Sequence, residues 1–393
     1  MSRSNDPKNF FQTDSALNET ARKASKSKNT KGSPIKLPSK LLAVAPDPQH
    51  GAQIYVAEAA GCVKRIMLET GETIKTFTGP AAPLTSVAVS PTSDTLFAGC
   101  WDKSIWTWSI STGKPVRKLQ GHSDFVKALL LITLRGGKEL LVSGSADATI
   151  VVWDAQSGEQ LHKLKGHTRG VLALALDSFE HEPGTSDTAV IFSAGSDREI
   201  RRWSISVANA TQVTDEPFPI IQHETNVDAI HFDSDGDLWT ASADRSAKCL
   251  SRSHAWVEDS CFEHPDYVRD VVVDEEGGWL VTACRDEHVR VWDKATGKLH
   301  HVFEGHYEEV TGLVFLSGQK VVSVSIDGSV RQWSLKSREL TDAIKLAEEE
   351  KQGLVKEEKP EKKEGLMTAD EEAELAALMA DDDDDDELPP LVE

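Results

Sequence analysis

No stretch of the 393 residues approaches the roughly 20 consecutive apolar positions that a bilayer-crossing helix needs, so a role built on membrane-spanning helices is excluded at the outset. Cysteine is scarce: Cys62, Cys100, Cys249, Cys261 and Cys284 are odd in number and contain no C-x-x-C pair. That argues against a disulfide framework or a zinc site, and neither metal nor cofactor is expected. Cys100 and Cys284 fall at the ends of predicted strands, where a reduced, structural thiol is expected. The first forty residues are polar and lack the apolar core of a secretion signal, so an intracellular protein, cytoplasmic or nuclear, is expected. Neither an H-E-x-x-H helix nor a phosphate-cradling P-loop occurs. With 39% hydrophobic and 27% charged residues, ten Trp and 26 Gly, the composition is that of a globular chain with many turns.

What is abundant is repetition. From Leu41 to Leu340 one pattern returns about every 41 to 50 residues: an apolar strand, a turn, a second apolar strand, a tight turn with Asp, and a strand ending in Trp. The clearest copy starts at Gly121-His122, passes through ELLVSGSAD to Asp147 and reaches Trp153-Asp154 in TIVVWD. Asp and Trp stand six residues apart there, and the interval recurs at Asp102 and Trp108, Asp197 and Trp203, Asp286 and Trp292, and Asp327 and Trp333. Two degenerate copies complete the series. One around Asp244 carries Leu250 in place of Trp, and the first, QIYVAEAAGCVKRIML, offers Ala60 and Ile66. Period-two alternation and β-branched residues in TIVVW, HVRVW and KVVSVSI mark strands independently of the repeat.

These residues resemble the WD-repeat family over about 300 of the 393 residues. The resemblance implies an all-β fold, a seven-bladed β-propeller over residues 33–340 in which each repeat is a four-stranded blade. In that family a corner His, a Ser or Thr of the second strand, the turn Asp and the Trp form one hydrogen-bonded chain inside a blade. The matching sets here are His122, Ser143, Asp147 and Trp153; His167, Ser193, Asp197 and Trp203; His264, Thr282, Asp286 and Trp292; and His306, Ser323, Asp327 and Trp333. A hydrolase also uses Ser, His and Asp, but it needs them once; four equivalent copies indicate a scaffold, and no catalytic residue is expected. Blades one, two and five lack a complete set and are expected to be locally weaker. Blade seven needs a fourth strand, from Ser33–Lys40 or from Leu340–Ala347; the former is favoured because joining the chain's start to its end removes an exposed sheet edge.

Function in such a fold comes from a surface. Aligned on the corner His, the copies place Phe125 and Tyr267 before the leading Val of the first strand and Lys127 and Arg269 after it. Trp101 and Arg285 precede the turn Asp, and Lys103, Arg198 and Arg245 follow it. In this family these positions crowd one face around the central channel, so that face is expected to carry all nine. Aromatics and arginines together form a hot-spot composition, suited to an acidic or phosphorylated peptide.

Charge is concentrated at the ends. Residues 1–40 hold nine Lys or Arg against three acids, and residues 341–393 hold six Lys against twenty acids. Residues 1–32 are expected to be a disordered basic arm, able to touch nucleic acid weakly or act as a nuclear-import signal. Residues 341–393 are expected to be a largely disordered acidic tail with a short helix over 368–380, where Thr368 and Glu371 have capping-box spacing and Leu375, Leu378 and Met379 share a face. The acidic run Asp381 to Glu387 could shield a basic client such as a histone or ribosomal protein, or dock on the chain's own basic rim. The net charge of −21 argues against strong nucleic-acid binding. The leading expectation is a non-catalytic scaffold or adaptor, a monomeric propeller inside a multiprotein complex, with a dedicated chaperone as the alternative. A ubiquitin-ligase adaptor is disfavoured, since Gln156 and Ala295 stand where such adaptors have Arg.

Overall fold

Each repeat becomes one antiparallel sheet of four strands, and there are seven sheets. The computed structural model describes residues 14–180 and 184–351. The first strands of the blades are Leu41–Pro46, Leu84–Val89, Val126–Thr133, Val171–Leu176, Val227–Phe232, Val268–Asp274 and Val310–Leu316. Each contacts its counterpart in the next blade, and Val310–Leu316 contacts Leu41–Pro46, so the ring closes with the first strands innermost.

Burial explains the sequence pattern strand by strand. Thr149–Asp154, the third strand of blade three, is buried at every position, because the neighbouring sheets cover both of its faces. In the outermost strand of blade two, Pro115–Gln120, only Leu119 is buried. The core is a set of layers between sheets: Ile132, Leu140, Val142, Ile150 and Val152 of blade three pack on Ile191, Trp203 and Ile205 of blade four. Blade one meets blade seven in the same way, Leu41, Ile54 and Ile66 against Val314, Val322, Val324 and Val330.

Every first strand begins with a break in register two residues long, between Leu41 and Ala43, Leu84 and Ser86, Val126 and Ala128, Val171 and Ala173, Val227 and Ala229, Val268 and Asp270, and Val310 and Gly312. The residue inside each break is a bulge position, freed from the ladder. The seven are Leu42, Thr85, Lys127, Leu172, Asp228, Arg269 and Thr311.

Closure uses the N-terminal segment, as favoured. Ile35 and Lys36 pair with Val330 and Ser329, making the fourth strand of blade seven. The amide of Gln332 donates to Gly32 O (2.8 Å) and that of Leu37 to Gly328 O (2.7 Å). Gly32 is needed there: its φ is +69°, and a Cβ would lie 2.7 Å from the Trp333 ring. The fully buried Arg331 donates to Lys31 O and to Asn29 O (3.2 Å). Leu340–Ala347, the other candidate, is helical.

The arm expected to be disordered over residues 1–32 is ordered in its second half. A helix, α1, spans Asp14–Lys26, and residues 29–32 run along blade seven. The ring belongs to a unit that ends at Thr341, and a second helix, α2 (Ser337–Lys351), starts inside that unit with Leu340 buried. The second unit, from Asp342, is described only as the continuation of α2, whereas the tail was expected to be largely disordered from residue 341. The helix expected over 368–380 and the run Asp381 to Glu387 lie outside the described residues. Cys100 and Cys284 end their strands fully buried, and burial pushes their thiols up to about 11 and about 12.

Candidate partner-binding surface

Register places the functional corners together. In blade three Val126 pairs with Ser145 and Thr149 with Lys165, so the corner before the first strand, the Asp turn and the end of the fourth strand share one end of the blade. That end is stabilised by the polar chain. His122 Nδ1 faces Asp147 at 3.2 Å, its Nε2 accepts from the Ser143 hydroxyl at 2.7 Å, and Trp153 Nε1 donates to Ser143 Oγ at 2.9 Å. His167, Ser193, Asp197 and Trp203, and likewise His306, Ser323, Asp327 and Trp333, repeat it. Burial alone would raise these carboxyls, but the Thr149 hydroxyl, the Ser123 amide and His122 hold Asp147 at about 2, and His167 with the Thr168 and Glu199 amides does the same for Asp197.

Ser143, Ser193 and Ser323 are fully buried and donate to a histidine while accepting from a tryptophan, which leaves no hydroxyl presented to a substrate. His167, Asp197 and Glu199 are close enough to hold a cation, yet both imidazole nitrogens of His167 are engaged and Glu199 pairs with Arg201.

Blade six departs from the expected chain. His264 Nε2 accepts from Thr282 (2.8 Å) and Trp292 donates to Thr282 (3.0 Å), but Asp286 is not reached. Arg290, four residues after the turn Asp, takes that carboxylate with two guanidinium nitrogens, and His264 Nδ1 donates instead to Phe262 O (3.0 Å). Burial and the Arg290 charge push the His264 imidazole down to about 4. Its neutral form is therefore favoured by folding. The stability this confers is complete above pH 6.5, the ordinary histidine value, and is lost as pH falls from there through about 4. His264→Gln should flatten the wild-type loss of stability between pH 6.5 and 4, worth about 3 kcal/mol, in urea titrations at fixed pH steps.

Blade five is better furnished than its missing Trp implies. His223 reaches Asp244 at 2.8 Å and Thr240 at 2.7 Å, completing the chain except at Leu250. In blade two Trp106 donates to Asp102 (3.0 Å), and Trp108 donates to the corner carbonyl of Thr78 (2.9 Å).

On this rim the structure brings five of the nine expected residues into two groups. Trp101 of blade two and Phe125 of blade three stack across the blade boundary, centroids 5.0 Å apart and planes at 16°. The bulge residue Lys127 holds its ammonium 5.5 Å from the Trp101 ring and 5.9 Å from that of Phe125. Burial lowers the Lys127 ammonium from its ordinary value, and among the described residues no carboxylate lies within ion-pair distance of it. In blade six Arg285 lies over Tyr267, 5.1 Å from the centroid. Arg269 stands apart: Glu309 and Asp228 from the flanking blades occupy its guanidinium.

Lys103, Arg198 and Arg245 are exposed at the turn position after Asp, in the left-handed region at φ 71°, 62° and 70°. Blade seven uses Gly328 there, and blade six uses an acid, Glu287. A residue with a side chain held at positive φ costs about 1 kcal/mol. Arg198→Gly and Arg245→Gly should therefore each raise stability by about 0.5–1 kcal/mol, read as a shift of the urea midpoint at constant slope.

What sequence reasoning missed is the acidic part of the rim. Glu287 bonds Arg22 (2.6 Å) and Lys26 (2.7 Å) of α1, and Glu308 bonds Lys23 (2.6 Å). The signal was an acid at a turn position where three other blades carry a base.

A closed ring of seven blades with these internal chains defines the class, and comparison with known proteins agrees. The family model "WD domain, G-beta repeat" matches at residues 71–109, 113–154, 158–204, 257–293 and 297–334. The chain belongs to the WD-repeat family. A WD repeat-containing protein of Schizosaccharomyces pombe is 34% identical over 343 residues, 84% of this chain and 89% of that protein. The chromatin assembly factor 1 subunit FAS2 homolog of Oryza sativa subsp. japonica is 27% identical over 159 residues, covering 37% of this chain and 31% of its own length. WD repeat-containing protein 37 of Homo sapiens is 34% identical over 100 residues, 25% of this chain and 20% of its own. Among the described residues no helix is long and apolar enough to cross a membrane.

Proposed function

We propose that the chain is a non-catalytic, intracellular scaffold that binds a partner protein on the rim of blades two to six, through an acidic or phosphorylated peptide. The observation that carries this reading is the Lys127 ammonium, partly buried beside the stacked Trp101 and Phe125 rings, with no carboxylate within ion-pair distance among the described residues. A cation held this way gains from an anion that arrives with a partner, since burial has already removed part of its hydration. The two rings supply rigid apolar area next to it, the composition of a hot spot. Lys103, Arg198 and Arg245, each exposed on a strained turn, extend the cationic arc, and Tyr267 with Arg285 ends it. Arg269 serves as an internal brace between Asp228 and Glu309.

The reading is tested by affinity purification and mass spectrometry of the intact protein beside a Trp101→Ala, Phe125→Ala, Lys127→Met variant whose folding has been checked. A stoichiometric partner lost with the rim changes supports the site; partners retained at full stoichiometry would remove it. Chaperoning of a basic client through the acidic tail is a second reading, favoured by the tail's composition and by the resemblance to a chromatin assembly factor subunit, which also favours the nucleus. Removing residues 352–393 would then release a Lys/Arg-rich protein that the rim variant keeps.

A further inference from the structure

We propose that Ser25 is a phosphorylation site whose modification lifts α1 off the acidic part of the rim. Helix α1 meets the propeller through cations on acids: Arg22 and Lys26 hold Glu287, and Lys23 holds Glu308. These two acids belong to blades six and seven, at the Asp turn and before the first strand, so α1 lies against the same rim that is open and basic at blades two to five. Ser25 is exposed within this cationic turn, between Lys23 and Lys26 and three residues after Arg22. Its own neighbours Arg22 and Lys23 supply the positive charge that a basic-directed kinase reads before its target serine.

Magnitudes explain why one modification is enough. The cations of the docking pairs are exposed by 45%, 28% and 37%, so each pair is worth at most about 1 kcal/mol. A thirteen-residue helix is marginal without its docking surface. Phosphoserine adds about −1.5 to −2 charges. Placed at Ser25, it competes with Glu287 for Arg22 and Lys26 and repels both rim acids. Chemically, the Ser25 oxygen attacks the γ-phosphorus of a nucleoside triphosphate. One P–O bond forms as the bond to the diphosphate oxygen breaks, nucleoside diphosphate leaves, and the hydroxyl proton passes to the kinase base. Ring closure does not depend on α1, because Gly32 to Leu37 bond blade seven independently.

The test uses the full chain, treated with the catalytic subunit of a cyclic-nucleotide-dependent protein kinase and Mg-ATP, with Ser25→Ala as control. Phosphate position is mapped by mass spectrometry, and amide exchange is followed over residues 17–27 and 35–37. The expected result is modification at Ser25 and exchange over 17–27 faster by about tenfold or more, matching a Glu287→Lys, Glu308→Lys chain, with 35–37 still protected. Should that rim variant fail to fold, Arg22→Glu, Lys23→Glu on the helix gives the same undocked reference. Modification elsewhere but not at Ser25, unchanged protection of α1 after modification, or an α1 already unprotected in the unmodified chain would each overturn the proposal.

Discussion

Changing Lys127 to methionine is expected to weaken partner binding about tenfold or more while leaving the propeller as stable as before, or more stable. The two effects have one cause. The ammonium is held beside the Trp101 and Phe125 rings, lowered from its ordinary pKa by burial, and faces no carboxylate within ion-pair distance among the described residues. In the free protein burial disfavours the charge more than Asp124 and Asp228 offset it, and an uncharged side chain of similar length removes that cost. In the complex the same ammonium meets its anion, and losing a charge-assisted hydrogen bond costs about 1.5–3 kcal/mol. Adding Trp101→Ala and Phe125→Ala removes the apolar platform, so binding should fall by about 30-fold or more beyond the lysine effect, in line with a hot spot of at least about 2 kcal/mol. Titration calorimetry at two salt concentrations checks both parts: Lys127→Met should also reduce the salt dependence. Equal loss of stability and binding would instead make Lys127 a structural residue.

Deleting residues 1–36 is expected to cost about 5 kcal/mol, a large share of the stability of a typical domain, and to make the protein self-associate. The deletion strips two strand pairings from Ser329–Ser334, takes the Gly32 carbonyl from Gln332, uncovers the Trp333 ring and removes the carbonyls of Lys31 and Asn29 from buried Arg331. At about 1 kcal/mol per hydrogen bond plus the packing of Ile35 on the Leu41 and Val330 layer, the losses approach that figure. Deleting residues 1–28 leaves the closing segment in place and should cost no more than about 3 kcal/mol, three surface ion pairs at about 1 kcal/mol or less each. Unfolding curves and light scattering of the two truncations separate them. Near-identical stabilities would show that blade seven does not need its fourth strand.

The contrast between these truncations shows where sequence was informative. The six-residue interval from Asp to Trp is a local pattern imposed by a hairpin, so five blades were readable directly, and Asp244 with Leu250 could be recognised as a worn copy of the same hairpin. Closure followed from a general rule about sheet edges. The helix at Asp14–Lys26 did not, because its docking depends on Glu287 and Glu308, more than 250 residues away, and no repeat marks them. Blade six misled for a related reason: its four residues match the family chain, but Arg290 competes for Asp286, and a competition between a guanidinium and an imidazole is decided in space. The alignment gave the nine residues their corner positions in each blade. It could not tell that Arg269 is already paired, since Asp228 and Glu309 come from the neighbouring blades, whereas Lys127 has no carboxylate within ion-pair distance among the described residues.

The central claim is that the rim at blades two and three receives the partner. A photo-reactive phenylalanine analogue placed at Phe125, and separately at Gln49, on the opposite end of blade one, tests it most directly when each protein is irradiated in cells and its adducts are identified. The account predicts a dominant adduct to one protein from position 125, at an acidic or phosphorylated segment, and none to that protein from position 49. An adduct to the same partner from position 49 with none from position 125 would contradict it.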